Sequence, residues 1–457
     1  MNRQILGVIL VLAAGVLASA AQPPRPGTGL VPRIHSLLRD TFPAGKPGSA
    51  VIVARQGRSM FRRAYGLADA EFGVMLEPDM VFRVGSVTKQ FTAALVLRMV
   101  ERNELSLTAP VRQYLPDAPQ SWRQITIEHL LSHTSGLPNY TALPEYRSGT
   151  AEDLTVRELV DRFRTLPLEF APGTRFSYSN SGYVLAGAIV ERVTGLAFAK
   201  AIREGLLSPL GLHHTHYDDP RRLLPRRARG YVQDGDELLN APYLSMTQPY
   251  AAGALVSTLD DLVAWDNALS AGRVLNPASL GRMFAPASLA GGRSTEYGLG
   301  WALSEYEGRP VAEHGGGING FRAHVIRVAS ERVFVAVLSN VERQDASPSR
   351  VARRIAALML GSVGAEPKAL ELPTSALDQY EGTYRAADGA VVRLARQASG
   401  LVVSSGRTVS EFYPIAPDRF AERGGIERLE FRRDDEGRLA GYERSGWGRP
   451  SSTERQP

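Results

Sequence analysis

The chain of 457 residues contains no cysteine. This absence excludes disulfides, thiolate metal sites, a cysteine nucleophile and a lipidated N-terminal cysteine. Lysine is also scarce, because only four of the 53 basic residues are Lys and the others are Arg. The arginines are scattered along the chain, so the net charge of +6 does not indicate a nucleic-acid surface. Hydrophobic residues make up 44 %, which is enough to bury a large core.

Long apolar runs are missing everywhere except at the N-terminus. There Arg3 precedes an apolar run over residues 5–17, and the small residues 18–20 resemble a cleavage site. This pattern predicts a signal peptide over residues 1–20 and a Pro/Gly-rich tether over residues 21–30. The run is shorter than the roughly 20 residues of a membrane helix, although an uncleaved anchor remains an alternative. We therefore expect a periplasmic or secreted protein with no stable membrane span after cleavage.

The periodicity of hydrophobic residues changes near residue 362. Residues 31–362 combine strands with strong helices. The predicted strands include residues 49–55, 58–65 and 321–328, and the predicted helices include residues 86–105 and residues 180–194, the second ended by Gly195. Residues 363–375 indicate a linker. Residues 376–457 are typical of a small all-β barrel or sandwich, with short strands predicted around Tyr384, Val391, Val402, Phe412, Phe420, Phe431 and Tyr442.

The most informative motif is Ser86-Val87-Thr88-Lys89. The serine opens a predicted helix, whose N-terminal N–H groups favour an anion, and the lysine three residues later lies on the same face. A serine hydroxyl becomes a good nucleophile when a base takes its proton, which a lysine of lowered pKa can do and an arginine cannot. Because lysine is rare in this chain, its presence at this position favours a catalytic role. The alternative is a serine-capped helix with an incidental lysine.

Two further motifs carry polar groups next to turns. Tyr178-Ser179-Asn180 offers a phenol for acid or base work and an amide that can bind both a substrate and a lysine; the alternative is a turn with an N-cap asparagine. In His314-Gly315-Gly316-Gly317 the glycines allow a substrate to approach a strand whose N–H can complete an oxyanion hole. A strand follows this glycine-rich segment, which argues against dinucleotide binding, and the chain has no G-x-S-x-G motif of lipases.

In this order the three motifs resemble those of the serine β-lactamase and penicillin-binding-protein family. The closer resemblance is to its branch of class C β-lactamases, D,D-peptidases, D-aminopeptidases and β-lactamase-like esterases, over about residues 30–362. This resemblance is supported by four short sequence segments, at residues 82–86, 130–137, 172–174 and 297–301. The implied fold is α+β, an α/β sandwich in which helices flank an antiparallel sheet and an all-helical domain is inserted. Residues 377–384 resemble the opening of lipocalin-like C-terminal domains.

The resemblance also implies roles for individual residues. Ser86 would attack a carbonyl and form an acyl-enzyme, while Lys89 and Tyr178 share the proton transfers and Tyr178 also activates the deacylating water. The implied oxyanion hole consists of the N–H groups of Ser86 and Gly317. The implied substrate-binding residues are Asn180, His314 and Gly316. The family mechanism uses no cofactor and no metal.

The third motif departs from the family pattern, which often has Lys first and Thr second where this chain has His314 and Gly315. The missing hydroxyl and charge should weaken carboxylate-bearing substrates by about 1–3 kcal/mol. A His314 protonated near its ordinary pKa of about 6.5 would restore the charge.

We therefore expect an exported serine hydrolase that cleaves an amide or ester through an acyl-serine, most simply a peptidase for peptides that contain D-amino acids or derive from peptidoglycan. The alternatives are a β-lactamase-like esterase or class C-type β-lactamase, a penicillin-binding sensor that acylates without turnover, and a non-catalytic interaction protein. The expected partner is a small-molecule or peptide substrate, and not a nucleic acid. We interpret the His-rich residues 213–219 as a loop and His133 as a structural histidine. We expect the barrel to cover part of the cleft, in its own chain or in a partner's.

Overall fold

The computed structural model describes residues 29–146, 149–342, 347–361, 367–386, 389–405, 408–448 and 450–456. The predicted signal peptide and residues 21–28 of the predicted tether lie outside the described residues, as do residues 363–366 of the predicted linker.

The α-helices of the described chain are α1 Leu30–Thr41, α2 Thr88–Glu101, α3 Ile127–Leu131, α4 Val156–Arg164, α5 Asn180–Thr194, α6 Phe198–Ile202, α7 Tyr250–Gly253, α8 Leu259–Ser270, α9 Pro277–Met283, α10 Pro348–Met359 and α11 Thr374–Leu377. Most of them lie between the second strand and the tenth, and so form an insertion in the sheet domain. No single helix of the described chain has the length and apolar character of a membrane span; the bent pair Asn180–Thr194 and Phe198–Leu210, with 81° between its halves, reaches that length and composition together.

A six-stranded antiparallel sheet forms the centre of the first domain, in the order β10-β11-β12-β13-β1-β2. Its strands are β1 Ser49–Arg55, β2 Arg58–Tyr65, β10 Ala302–Tyr306, β11 Arg309–Ile318, β12 Phe321–Val328 and β13 Val333–Ser339. Strand β1, which lies between β13 and the edge strand β2, is buried on both faces. Val53 packs with α1 and α10 on one face, and Ile52 packs with the core of the helical region on the other. This is the predicted sheet flanked by helices, and the predicted fold class is confirmed.

The other strands of this domain are short. They are β3 Leu67–Asp69, β4 Val74–Met75, β5 Phe82–Arg83, β6 His216–Tyr217, β7 Tyr231–Asp234, β8 Glu237–Asn240, β9 Leu255–Ser257 and β14 Val341–Glu342. The strands β5, β9 and β6 form a small sheet directly before the Ser86 motif. It fixes the start of α2, because Val84 N–H donates to the Leu255 carbonyl at 3.1 Å.

The C-terminal domain is a closed eight-stranded barrel. Its strands are β15 Gly382–Ala386, β16 Val391–Gln397, β17 Gly400–Ser405, β18 Thr408–Ala416, β19 Arg419–Glu422, β20 Arg428–Arg433, β21 Leu439–Ser445 and β22 Ser451–Arg455. Aromatic side chains such as Tyr384, Phe420 and Phe431 fill its interior, as the sequence pattern predicts for a small barrel. The last strand, β22, is not among the predicted strands; it carries no aromatic residue and closes the barrel between β15 and β21.

Candidate active site

Ser86 lies on a tight turn between the small sheet and α2. The segment Gly85–Val87 forms a single 3-10 turn, and the α-helix proper begins at Thr88, two residues later than predicted. Gly85 has φ +51°, a left-handed conformation that favours glycine. The turn leaves Ser86 partly exposed at the mouth of a cleft and at the N-terminal end of a 14-residue helix. A negative charge that develops here is therefore stabilised by the helix terminus.

Lys89 is fully buried behind Ser86, and its Nζ makes three polar contacts. They are to Ser86 Oγ at 3.0 Å, Asn180 Oδ1 at 2.8 Å and the Ala252 carbonyl at 2.8 Å. Burial lowers the pKa of Lys89 well below its ordinary value, which favours the neutral amine. A neutral amine has two N–H donors and one lone pair. The two carbonyl oxygens take both donors, and the lone pair is left to accept the Ser86 hydroxyl proton.

Asn180 is held in one amide orientation by neighbours outside the motif. Its Nδ2 donates to Thr141 Oγ1 at 3.0 Å, and Thr141 donates in turn to Asn139 Oδ1 at 3.1 Å. The backbone N–H of Asn180 also donates to Asn139 Oδ1, at 3.0 Å. Because Nδ2 is engaged in this way, Oδ1 must face Lys89. The structure thus brings Asn180 to Lys89, as predicted, and adds a supporting pair that sequence reasoning missed.

Tyr178 lies beside both members of the Ser86 motif. Its hydroxyl hydrogen-bonds the side chain of Ser86, and its ring centroid is 4.9 Å from Lys89 Nζ. Burial raises the pKa of Tyr178 above its ordinary value, and the hydrogen bond with Ser86 offsets only part of the rise. A neutral Lys89 supplies no cation to reverse this. Tyr178 is therefore a neutral phenol at rest. It is suited to relay a proton and not to remove the hydroxyl proton of Ser86.

His133 supports Tyr178 from behind. The two ring centroids are 4.2 Å apart, and His133 Nδ1 accepts the backbone N–H of Ser179 at 3.1 Å. Burial lowers the pKa of His133 well below its ordinary value. A neutral, buried histidine that fixes the tyrosine's backbone fits the structural role expected for His133.

The glycines of the third motif let β11 pack directly against the Ser86 turn. A Cβ on Gly316 would lie 1.9 Å from the Val84 carbonyl oxygen, and a Cβ on Gly85 would lie 2.9 Å from the backbone nitrogen of Gly317. Only glycine permits this approach. Gly316 therefore seats the strand against the nucleophile turn. The predicted oxyanion pair thus lies close together, with Ser86 on the turn and Gly317 on the strand.

His314 is neutral in this setting. Its ring hydrogen-bonds the Gly315 carbonyl through Nδ1 at 2.7 Å, so Nε2 accepts the Tyr297 hydroxyl at 2.8 Å. Burial lowers the pKa of His314 below its ordinary value. The expectation that a protonated His314 restores a positive charge is therefore wrong near neutral pH. No local sequence signal indicates this, because both the burial and the Tyr297 contact depend on the fold.

A cleft of about 900 Å³ opens in front of these groups. It is lined by Ser86, by aromatic residues that include Phe176 and Tyr297, and by polar residues of β11 and β12. The lining residues found in the described chain all precede the barrel. Within the described part of one chain the barrel therefore lines no part of this cleft, contrary to the first form of the expectation. Cover of the cleft by a partner's barrel stays a prediction.

Sequence reasoning missed several residues next to the site, among them Thr141, Tyr297, Glu313 and His324. Tyr297 belongs to one of the sequence segments that support the resemblance, but nothing in that segment predicts its contact with His314.

Residues of the His-rich loop make structural contacts. Thr215 Oγ1 donates to Asp261 at 2.8 Å, and Asp218 forms an ion pair with Arg83 at 2.8 Å. In the described chain we find no group of three or more ligating side chains that could hold a metal ion.

Comparison with known proteins decides the family. The family model described as Beta-lactamase matches residues 39–360, which is most of the chain. This chain belongs to that family. The match includes the motifs that begin at Ser86, Tyr178 and His314 and ends before the barrel.

Three curated relatives have different activities in their names. Penicillin-binding protein 4* of Bacillus subtilis is 28 % identical over 405 residues, which is 83 % of this chain and 89 % of the relative. A D-aminopeptidase of Gluconobacter oxydans is 30 % identical over 76 % of this chain and 64 % of its own length. Esterase EstB of Burkholderia gladioli is 42 % identical over 36 % of this chain and 45 % of its own. The chain thus spans less than two thirds of the last two.

Two solved structures share the fold. The octameric penicillin-binding protein homologue from Pyrococcus abyssi matches with a TM-score of 0.66 and 23 % identity, over 93 % of this chain and 99 % of that one. The D-amino acid amidase of Ochrobactrum anthropi SV3 matches with a TM-score of 0.64 and 27 % identity, over 74 % of this chain and all of that one. The chain is related to hydrolases of the family, and the likeness includes both domains in the first case.

Proposed function

We propose that this protein is an exported serine hydrolase that cleaves an amide bond next to a D-amino acid, in a D-amino-acid amide or a peptidoglycan-type peptide. The observation that carries the proposal is the geometry of Lys89, a buried amine of lowered pKa whose Nζ lies 3.0 Å from Ser86 Oγ and 2.8 Å from two carbonyl oxygens. The D-aminopeptidase and the D-amino acid amidase among its relatives support the choice of substrate.

In the acylation step Ser86 Oγ forms a bond to the substrate's carbonyl carbon while its proton moves to Lys89 Nζ. The carbonyl oxygen takes the negative charge and is stabilised by the N–H groups of Ser86 and Gly317. The ammonium of Lys89 then returns the proton to the leaving nitrogen, through or beside the Tyr178 hydroxyl, and the carbon–nitrogen bond breaks. In deacylation a water attacks the ester, its proton passes through the same groups, and Ser86 is restored with release of a carboxylic acid.

A second candidate function is ester hydrolysis. His314 carries no charge near neutral pH and Gly315 offers no hydroxyl, so neither of these residues favours a substrate carboxylate. Neutral esters need no such contact, and the 42 % identical segment of esterase EstB points the same way. A class C-type β-lactamase and a sensor that acylates without turnover use the same Ser86 chemistry and differ in the fate of the acyl-enzyme.

The test is hydrolysis of four probes by the full chain: the p-nitroanilides of D-alanine and L-alanine, p-nitrophenyl acetate and benzylpenicillin. We expect the D-anilide to be cleaved at least about tenfold faster than the L-anilide, a difference of about 1.4 kcal/mol in activation free energy. The intact mass should show an acyl adduct that Ser86→Ala abolishes. Ser106→Ala, an exposed serine outside the site, is the matched control.

The other outcomes identify the alternatives. A preference for p-nitrophenyl acetate with neither anilide cleaved supports the esterase. Rapid loss of benzylpenicillin supports the β-lactamase, and a penicillin adduct that persists without turnover of any probe supports the sensor. Turnover that survives in Ser86→Ala contradicts all of these functions.

A further inference from the structure

A buried carboxylate lies directly behind the third motif. Glu313 precedes His314 on β11 and is only 3 % exposed. Arg353 on α10 donates to it twice, at 2.7 and 3.1 Å, and His324 Nε2 donates at 2.8 Å. Burial opposes the charge on Glu313, but Arg353 and His324 outweigh it and hold the pKa of the carboxyl well below its usual range. Glu313 is therefore a fixed negative charge that orients His324.

His324 reaches the active-site cleft from the strand beside the third motif. It pairs with Gly315 in the register of β11 and β12, and it is one of the residues that line the cleft with Ser86. Its Nδ1 lies 3.3 Å from the position that a Cβ on residue 315 would occupy. We find no hydrogen bond to this Nδ1 from the part of the chain that the structure describes. The ring thus presents a free nitrogen where the side chain missing from Gly315 would stand.

The charges around the cleft favour an anion there. Arg175 and Arg293 line it, against Glu296, whereas Arg353 and Glu313 form an ion pair with each other. Arg175 forms a long ion pair with Glu169 at 4.0 Å, and within the described residues the side chain of Arg293 has no ion pair. A substrate carboxylate that enters beside Gly315 would therefore find an unpaired cation, Arg293, in the lining of the cleft.

The barrel is attached to this cluster. Trp447, in the segment after β21, donates from Nε1 to Glu313 at 3.0 Å. Its ring stacks on Tyr306 of β10, with centroids 5.0 Å apart and planes at 25°. The next residue, Gly448, donates its N–H to the Glu305 carbonyl at 2.9 Å. The C-terminal domain therefore supplies one of the donors that hold Glu313 in place, although it lines no part of the cleft within the described chain.

We propose that His324 binds a carboxylate of the substrate beside Gly315, and that the C-terminal barrel keeps His324 in position through Trp447 and Glu313. This inference rests on the proposed function, because that function supplies the class of substrate. With Nε2 donating to Glu313, Nδ1 is the ring nitrogen that remains to hydrogen-bond a bound carboxylate. The charged and titratable groups around His324 are Glu313 and His314 on β11, Arg353 on α10, and Arg293 and Glu296 on the loop before β10.

The experiment measures binding rather than turnover, in the full chain with Ser86→Ala. The probes are N-acetyl-D-alanyl-D-alanine and its C-terminal carboxamide, studied by calorimetry. We expect the acid to bind at least about tenfold more tightly than the carboxamide. His324→Gln should abolish this preference, whereas His213→Gln, an exposed histidine elsewhere, should keep it.

Two further variants separate a binding role from a structural one. Trp447→Phe keeps a ring against Tyr306 but removes the N–H, and should weaken acid binding about threefold to tenfold without affecting the carboxamide. Trp122→Phe removes an indole N–H that has no partner among the described residues, and should leave acid binding unchanged. Gly315→Ser added to His324→Gln puts a hydroxyl beside the cleft and should restore part of the preference for the acid.

The proposal is overturned if the acid is bound no better than the carboxamide, if neither binds, or if His324→Gln keeps the preference. It is also overturned if Trp447→Phe has no more effect than Trp122→Phe. Thermal unfolding of each variant identifies those that have lost the fold. Because Ser86→Ala removes turnover from every sample, a failure here is distinct from a failure of the proposed hydrolase activity, which the anilide assay tests separately.

Discussion

Replacing Lys89 by arginine tests whether this buried amine acts as a base. The neutral lysine donates to Asn180 Oδ1 and the Ala252 carbonyl and keeps a lone pair for the Ser86 hydroxyl. An arginine stays protonated, so it can donate to the same oxygens but accepts no proton. We expect Lys89→Arg to slow acylation by about 10²–10⁴-fold, which corresponds to about 3–5 kcal/mol of activation free energy.

The assay is the single-turnover release of p-nitrophenol from p-nitrophenyl acetate between about pH 6 and about pH 10. Because burial lowers the pKa of Lys89, the wild-type rate should rise as that pKa is passed and level off well below about pH 10.4, where an ordinary lysine titrates. Lys89→Arg should show no such rise. Lys200→Arg makes the same change at an exposed lysine outside the site and should match the wild type.

Two results would refute this reasoning. Acylation by Lys89→Arg within tenfold of the wild type would mean that a positive charge, not a base, is what the site needs. A wild-type rate that keeps rising up to about pH 10 would mean that Lys89 is not neutral at rest, or that the Tyr178 phenolate is the base.

Other changes act on the supports of the site. Asn180→Leu removes an acceptor of the neutral Lys89, and kcat/KM should fall about 10- to 100-fold, or about 1–3 kcal/mol, in the anilide assay. Gly316→Ala forces a Cβ against the Val84 carbonyl, so we expect a loss of about 1–3 kcal/mol in thermal unfolding together with slower acylation. Glu313→Gln breaks a buried ion pair and should lower the free energy of unfolding by about 3–5 kcal/mol in urea titrations at neutral pH. The pKa of Glu313 is lower folded than unfolded, so this loss should shrink as the pH falls below about 4.

The changes at Gly316 and Glu313 each have a matched control. Gly281→Ala places a Cβ in open space, and Glu436→Gln alters an exposed glutamate of the barrel. An equal loss of stability in a control and its partner would contradict the assigned contact. For Asn180, a variant that keeps full kcat/KM would show that the Ala252 carbonyl alone is sufficient to hold Lys89.

Helices and strands whose ends are set by nearby residues could be predicted from the sequence. The helix α5 has the predicted bounds because Gly195, at φ +68°, ends it, and β1, β2 and β12 also have the predicted bounds because their apolar patterns are bounded by turns. The start of α2 was predicted two residues early, since a serine that opens a helix and a serine on a 3-10 turn before it have the same sequence pattern.

Contacts between distant segments could not be predicted in this way. Glu313 and His324 meet only because β11 and β12 pair in one register, and Trp447 reaches them from a different domain. The charge state of His314 depends on its burial against Tyr297, which its own sequence neighbours do not determine. The motifs therefore indicated which groups react, whereas the residues that support them required the fold.

The pairing of β1 with β13 has a consequence for folding. Ser49 pairs with Ser339 in this register. The main sheet therefore pairs a strand from the beginning of the hydrolase domain with a strand from its end. Contacts so distant in sequence form slowly, because a long loop must close before they contribute any stability. During synthesis the β1–β2 hairpin must wait, with an apolar strand edge unpaired, until almost the whole domain has been made. With no cysteine to form a covalent link, the chain depends on the final strands alone to complete the sheet.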